Sequence, residues 1–127
     1  MAKSTKKTAD ITPEIIKGIE DVKGFDIIEM NLSKLDNAVV DKFIICSGNS
    51  STQVDAIADT IIEEVRKKHN IKPWRKEGFL NKEWILIDFV DIVVHVFQPH
   101  IREFYNIEEL WADAKMKRYE NALDSSN

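Results

Sequence analysis

The sequence predicts an α+β fold: a single domain with a mixed five-stranded sheet and flanking helices. Its 127 residues, 43% of them hydrophobic, are enough for one hydrophobic core. One long segment has apolar residues at helical spacing. In several shorter segments apolar and polar residues alternate, or all residues are apolar, as is typical of strands. The predicted order is helix, two strands, helix, three strands, helix. We expect the domain to span residues 12–118, with disordered tails at 1–11 and 119–127.

The first half of the chain predicts a helix and a strand pair. Thr12, Pro13 and Glu14 supply a cap, a first-turn proline and a first-turn acid for a helix over residues 13–23, which Gly24 ends. Residues 25–32 place alternate apolar side chains on one face, and residues 42–47 form a second apolar run. We expect these two strands to pair as a hairpin.

The second half begins with the most clearly predicted helix. Ser50 and Gln53 have the spacing of a capping box, and a 3.6-residue apolar period follows until the cationic segment 67–70. A short extended piece at 74–78 precedes strands at 84–89 and 92–97, joined by a tight turn at Val90 and Asp91. A last helix is expected near 107–118.

Composition argues against several classes of function. The formal net charge of −4 disfavours broad binding to free nucleic acid, which needs clustered Lys and Arg, and favours a basic protein partner. No apolar stretch reaches the roughly 20 residues that span a bilayer, so we expect a cytoplasmic protein that does not contact a membrane. The lone Cys46 lies in an apolar run, and His69 and His100 lack ligand spacing, so we expect no metal and no cofactor.

Three polar residues interrupt the apolar run of residues 84–97: Asp88, Asp91 and His95. The two aspartates fit a magnesium-binding pair, but no third acid is evident and Asp91 suits the turn equally well. His95 alternates with Val93 and Phe97, which favours a neutral imidazole with satisfied hydrogen bonds in the core or at its rim over a catalytic base. We therefore expect structural roles and no enzymatic activity.

Ser47-Gly48-Asn49-Ser50-Ser51 lies between a strand and a helix N-terminus, where backbone amides hold anions in other proteins. It lacks the lysine of a phosphate-binding loop, and Ser50 is needed as the cap. A structural turn is the favoured interpretation.

Aromatic residues beside charges suggest a protein-binding surface instead. Trp84 and Trp111 suit a core equally well, whereas the segments 74–78 and 103–105, with Trp74, Phe104 and Tyr105, are better candidates for an exposed patch.

The chain resembles the ribosomal silencing factor family, also called the Iojap family, over about residues 12–118. The resemblance rests on Asp41-Lys42-Phe43-Ile44-Ile45-Cys46-Ser47-Gly48, Gln53-Val54-Asp55-Ala56-Ile57-Ala58-Asp59, Glu77-Gly78, Trp84-Ile85-Leu86-Ile87-Asp88-Phe89, Asp91-Ile92-Val93-Val94-His95-Val96-Phe97, Arg102-Glu103-Phe104-Tyr105 and Leu110-Trp111. One departure is Val90, where the family commonly has glycine, so the turn is expected to differ in its backbone angles.

The resemblance implies a nucleotidyltransferase-like fold without catalytic acids. It also implies a translational repressor that binds the fourteenth protein of the large ribosomal subunit and blocks subunit joining when nutrients are short. On this basis we expect the partner contact to lie at or beside Trp74, Glu77, Asp88, Asp91, His95, Arg102 and Tyr105.

Three alternatives stay open at this point. The first is a small nucleotidyltransferase-like, nucleotide-binding enzyme that uses Ser47 and Gly48 for phosphate and Asp88 and Asp91 for magnesium. The second is an assembly factor of the large subunit. The third is a module that forms a homodimer through an exposed edge strand or aromatic patch when its partner is absent.

Overall fold

The computed structural model describes residues 10–36 and 38–120. Helices and strands follow in the order α1 (Thr12–Asp21), β1 (Phe25–Asn31), β2 (Lys42–Ser47), α2 (Ser51–His69), β3 (Arg75–Glu77), β4 (Trp84–Asp88), β5 (Ile92–Phe97), α3 (Pro99–Tyr105), α4 (Ile107–Leu110) and β6 (Lys115–Tyr119). No helix within these ranges is long and apolar enough to cross a bilayer.

The strands form one mixed sheet in the order β3-β4-β5-β2-β1-β6. β2 and β5 are parallel, with Ile45 opposite His95, and the other neighbours are antiparallel. The α+β class, the mixed sheet and the pairing of the first two strands are therefore confirmed. All of β5 is buried, as its apolar sequence predicts.

The prediction of a C-terminal helix over 107–118 is wrong, and the sheet has six strands rather than the predicted five. Helical structure ends at Leu110 after a single turn, and β6 pairs antiparallel with β1, with Met116 opposite Met30. The β6 residues from Lys115 to Arg118 are exposed, so this edge strand has no apolar alternation to reveal it. Its stability comes from the hydrogen-bonding edge that β1 offers, which is a tertiary effect.

The predicted tails fall mainly on residues 1–9 and 121–127, which lie outside the described residues. At the tail margins that are described, Ile11 is 6% exposed within the core and Tyr119 is part of β6. The Tyr119 hydroxyl donates a 2.6 Å hydrogen bond to Glu29 of β1.

One face of the sheet is covered by α1 and α2, which pack closely on each other. A Cβ atom at Gly18 would lie 2.9 Å from the Cα atom of Ile61, so glycine permits this approach of the two helices. The N-terminus of α2 is capped as predicted: the Ser50 hydroxyl accepts a hydrogen bond from the Gln53 amide at 3.1 Å. The helix ends at Asn70, which is in the left-handed conformation.

The opposite side of the sheet, which we call the open face, carries a second and smaller core. Residues of β1, β2 and β5 pack there against α3, α4 and the loop between β1 and β2; the buried members are Ile28, Met30, Leu32, Ile45, Phe97, Ile107 and Ala114. Toward β3 the residues become exposed, as at Arg75 and Glu77. Two of the candidate site residues, Glu77 and Asp88, lie on β3 and β4 at this thinly covered end.

Candidate protein-docking surface

Asp88 and Asp91 flank the turn between β4 and β5. The Asp88 carboxylate accepts a 2.7 Å hydrogen bond from the Val90 amide and lies 3.6 Å from the Arg75 guanidinium. The Asp91 amide donates to the Phe89 carbonyl at 3.0 Å across Val90, whose φ of 79° is in the left-handed region. This is the strained γ-turn geometry, which β-branched residues rarely adopt.

The two aspartates have different neighbours and line different cavities. The backbone carbonyl of Asp91 accepts from the amides of Asp41 and Lys42 at 2.9 and 3.2 Å, which fixes the turn to the start of β2. Asp91 lines a cavity with Lys42, whereas Asp88 lines a separate one with His95. Within residues 10–36 and 38–120, no group of three His, Cys, Asp or Glu residues is arranged to hold a metal ion.

His95 lies in the open-face core and is 5% exposed. Its Nδ1 atom is 3.1 Å from the indole nitrogen of Trp84, and its ring meets Phe43 edge to face at 4.7 Å between centroids. Burial lowers the pKa of His95 to about 4, so the ring is neutral near pH 7. The buried position expected from the sequence is confirmed, but the ring is only partly satisfied, because Nε2 has no hydrogen-bond partner among the described residues.

Arg102 points into the protein rather than toward solvent. Its guanidinium donates to the Asp26 carbonyl at 2.7 Å, to the Ser47 hydroxyl at 2.8 Å and to the Glu108 carboxylate at 2.9 Å. These bonds tie α3 to the ends of β1 and β2 and to α4. Arg102 therefore positions the helix that carries Phe104 and Tyr105.

Residues of the Ser47–Ser51 segment make hydrogen bonds that stabilise the fold. Ser47 is 1% exposed and accepts the bond from Arg102, the Gly48 amide donates to the Phe97 carbonyl at 2.8 Å, and Ser50 caps α2. These contacts agree with the structural turn favoured by the sequence.

Exposed aromatic residues lie around the β3–β4 end of the open face. Phe97, Trp84, Tyr105 and Phe104 form a chain of ring contacts with centroid separations of 4.8, 5.0 and 4.9 Å. Its outer members, Tyr105 and Phe104, are 50% and 76% exposed. Such partly exposed, mutually supported rings are typical of protein-binding anchors.

Trp74 is a further exposed aromatic residue and immediately precedes the edge strand β3. It is 70% exposed, and the Arg75 guanidinium lies 5.5 Å from its ring centroid. Arg75 also donates a 2.8 Å hydrogen bond to Glu77. We call the combined area the docking surface; it comprises Trp74, Arg75, Glu77, Leu86, Phe104 and Tyr105.

Five of the seven residues expected at the partner contact lie at or under the docking surface: Trp74, Glu77, Asp88, His95 and Tyr105. Arg102 supports the surface from inside, and Asp91 lies in the other cavity. Sequence reasoning did not single out Leu86 or Val39. Leu86 is on the same strand face as Asp88, and Val39 is 92% exposed beside it; a period of two along β4 was the available signal for Leu86.

A family model described as the ribosomal silencing factor during starvation matches residues 5–127. The chain belongs to the ribosomal silencing factor family. It is 36% identical to the ribosomal silencing factor RsfS of Halalkalibacterium halodurans over 108 residues, covering 85% of this chain and 91% of that one. It is 39% identical to RsfS of Bacillus subtilis over 97 residues, covering 76% and 80%.

A crystal structure of a protein from Chromobacterium violaceum has the same fold. Its TM-score is 0.76 at 34% sequence identity, with 92% of this chain and 96% of that chain covered. The chain also matches the chloroplast Iojap protein of Zea mays, at 39% identity over 72 residues, or 57% of this chain and 31% of that one. Membership of the ribosomal silencing factor family supports a ribosome-associated silencing role.

Proposed function

We propose that the protein represses translation in the cytoplasm by binding the large ribosomal subunit through its fourteenth protein and blocking the joining of the small subunit, mainly when nutrients are limited. Membership of the ribosomal silencing factor family supports binding to the ribosome. The choice of the fourteenth protein as the partner rests on the resemblance of the sequence motifs. The observation that carries the binding part of the proposal is the exposure of three aromatic side chains, Trp74, Phe104 and Tyr105.

Exposed aromatics of this size are costly to leave in water unless a partner covers them. Trp74 at 70% exposure and Tyr105 at 50% each retain much of their apolar area for burial at an interface. Their rings are held in place by Arg75 and Trp84, respectively, which reduces the entropy lost on binding. These two rings are the expected anchors.

Charge favours a basic partner protein. The chain has a formal net charge of −4, and acidic side chains such as Glu77 and Glu103 are exposed near the aromatic anchors. Complementary charge speeds the encounter and fixes orientation, while the buried aromatics supply most of the affinity.

The proposed mechanism is steric and needs no catalysis. A folded domain bound on the joining face of the large subunit occupies space that contacts with the small subunit require. The residues that a nucleotide-binding enzyme would use are engaged elsewhere: Ser47 with Arg102, and Asp88 with Val90 and Arg75.

Affinity for isolated large subunits tests the proposed surface. Trp74→Ala or Tyr105→Ala should weaken binding by more than about 1 kcal/mol, because each removes an anchor ring. Met116→Ala is the matched control, since Met116 is an exposed apolar residue on β6, at the other edge of the sheet. Unchanged affinity in a folded Trp74→Ala, Tyr105→Ala double variant would remove the aromatic surface from the proposal.

A role in large-subunit assembly is the second candidate. It is favoured by the similarity to mouse mitochondrial assembly of ribosomal large subunit protein 1, 33% identical over 73 residues. The chain spans about a third of that relative's length, 32%. Stable binding to large subunits without any effect on joining would favour this candidate.

A homodimer of the free protein remains a prediction. If the docking surface pairs with its own copy, sedimentation velocity will show a concentration-dependent dimer that Trp74→Ala weakens and that large subunits dissociate.

A further inference from the structure

A basic segment connects the end of α2 to the edge strand β3. Residues 66–76 hold six of the eighteen Lys and Arg residues of the chain and no Asp or Glu, although the whole chain has a formal net charge of −4. We call residues 66–76 the basic strip. All six of its cationic residues are exposed: Arg66, Lys67, Lys68, Lys72, Arg75 and Lys76. The charge of the chain is therefore distributed unevenly over its surface.

Helix stability explains only part of the basic strip. Cations in the last turn of a helix interact favourably with the helix dipole, and the last turn of α2 contains three of the six. Two of these, Arg66 and Lys67, also form ion pairs with glutamates three residues earlier in the helix. Lys72, Arg75 and Lys76 lie after the helix, so its dipole gives no reason for their charge.

Several cations of the basic strip have no carboxylate partner. Arg75 is compensated, since its guanidinium lies 2.8 Å from Glu77 and 3.6 Å from Asp88. By contrast, Lys68 and Lys72 form no ion pair with any carboxylate among residues 10–36 and 38–120. Their charges are therefore available to an anionic partner.

The basic strip includes one of the two expected anchors, and the other anchor lies at the opposite end of β4. The Trp74 amide donates to the Asp88 carbonyl at 2.8 Å, whereas the Tyr105 ring lies 5.0 Å from the ring of Trp84. Trp84 and Asp88 are the first and last residues of β4, which places these two contacts about 13 Å apart along the strand. The docking surface thus has two distinct ends.

The two ends of the docking surface carry opposite charge. Trp74 is surrounded in sequence by the cations of the basic strip. In residues 99–114, which include Tyr105, the exposed charged residues are all acidic: Glu103, Glu109 and Asp113. The Tyr105 end is complementary to a basic protein, and the same protein surface would be repelled at the Trp74 end. The partner of the Trp74 end is therefore anionic.

The large ribosomal subunit presents an anionic surface in its RNA. Clustered Lys and Arg without interspersed acids are typical of phosphate contacts, whereas lysine is depleted in protein–protein interfaces. The basic strip is at most roughly 30 Å long if residues 70–76 are fully extended. Six cations over this length are enough to contact several phosphates of one RNA segment.

We propose that the basic strip contacts phosphates of the large-subunit RNA, while the acidic end around Tyr105 contacts the basic partner protein. The inference rests on the proposed function, since it adds a second component of the large subunit to the same docking surface. Free RNA is bound weakly on this account, because the net charge of −4 opposes RNA that the partner protein does not hold beside the basic strip.

The salt dependence of large-subunit binding tests the inference. Wild-type protein and the Lys68→Gln, Lys72→Gln double variant would be titrated with isolated large subunits at about 50 and 200 mM KCl and constant magnesium. Each phosphate contact contributes about 0.7 to 0.9 to the slope of log affinity against log salt. Loss of two contacts should therefore weaken the double variant by a factor that is about ten-fold larger at the lower salt than at the higher.

A Lys23→Gln, Lys115→Gln double variant is the matched control. It removes the same charge from exposed residues outside the basic strip, before β1 and on β6, and should keep the wild-type salt slope. Circular dichroism checks that both double variants fold. If wild-type protein binds and the two double variants have the same salt slope, the inference is wrong while the proposed function stands. If wild-type protein does not bind large subunits at all, both fail.

Binding to the isolated fourteenth protein of the large subunit distinguishes RNA from protein as the partner of the basic strip. Wild-type protein and the Lys68→Gln, Lys72→Gln variant should bind this isolated protein equally, because the two lysines contact only RNA. If the variant binds the isolated protein as much more weakly as it binds whole subunits, the basic strip contacts the partner protein, and the inference is overturned.

Discussion

Replacing Arg102 with alanine should strongly destabilise the protein. Arg102 is 9% exposed, and its guanidinium donates to the Asp26 carbonyl, the Ser47 hydroxyl and the Glu108 carboxylate. Alanine leaves the Ser47 hydroxyl buried without this donor and the Glu108 carboxylate without its counter-charge. The loss therefore combines broken hydrogen bonds with an uncompensated, partly buried charge.

The size of the effect follows from burial. Removing one partner of a buried ion pair typically costs about 3 to 5 kcal/mol. The Glu108 side chain is 21% exposed, so water can partly replace the arginine, and the lower end, about 3 kcal/mol, is expected. Urea denaturation followed by circular dichroism measures this change in the free energy of unfolding.

Arg66→Ala is the matched control. Arg66 and Glu63 are 2.6 Å apart, but their side chains are 47% and 53% exposed. An exposed pair of this kind contributes little to stability, because water and salt screen its two charges. If Arg102→Ala cost no more than Arg66→Ala, the structural role assigned to Arg102 would be refuted.

Three further predictions concern the turn residues and His95. The pKa of His95 is about 4 in the folded protein and about 6.5 unfolded, so the unfolded state binds more protons below pH 6.5. Stability should fall by up to about 3 kcal/mol as the pH drops from 6.5 to 4, and urea titrations should show a smaller fall for His95→Phe. The Val90→Gly variant should be about 1 kcal/mol more stable than the Val90→Ala variant, because both remove the γ-methyl groups of valine and only glycine adopts a positive φ freely. Equal urea midpoints for the two variants would contradict the strained turn. Gly78→Ala should lower the free energy of unfolding by about 2 kcal/mol or more, since φ is 91° and the new Cβ would collide with the Trp84 carbonyl; an unchanged melting temperature would contradict this.

The elements that the sequence predicted well are those with strong local signals. The α2 helix combines a Ser50 cap, a regular apolar period and an Asn70 terminus, and it forms from Ser51 to His69. The β4–β5 hairpin follows from apolar runs on both sides of a turn residue, Asp91. In these segments local preference and tertiary packing favour the same structure.

β6 shows where local signals fail. Its sequence from Lys115 to Tyr119 is charged, and four of its five residues are exposed, so neither helical nor strand periodicity identifies it. Pairing with β1 decides its conformation. Such an edge strand depends on a partner distant in sequence.

The candidate site was predicted only in part, for a similar reason. The aromatic segments around Trp74 and Tyr105 were recognisable by composition, but the inward direction of Arg102 depends on its contacts with Asp26 and Ser47, which are 76 and 55 residues away. The separation of Asp88 from Asp91 depends on the turn geometry at Val90. The parallel pairing of β2 with β5 places Ile45 opposite His95, and no local pattern in the sequence shows this pairing.

Subunit joining is the most direct test of the proposed function. Purified protein would be bound to isolated large subunits, small subunits added, and joining followed by sedimentation, with the Trp74→Ala, Tyr105→Ala double variant in parallel. We predict that joining falls in proportion to the bound protein and is restored when the double variant is used at the same concentration. Full joining of large subunits that are saturated with the wild-type protein would contradict the silencing mechanism.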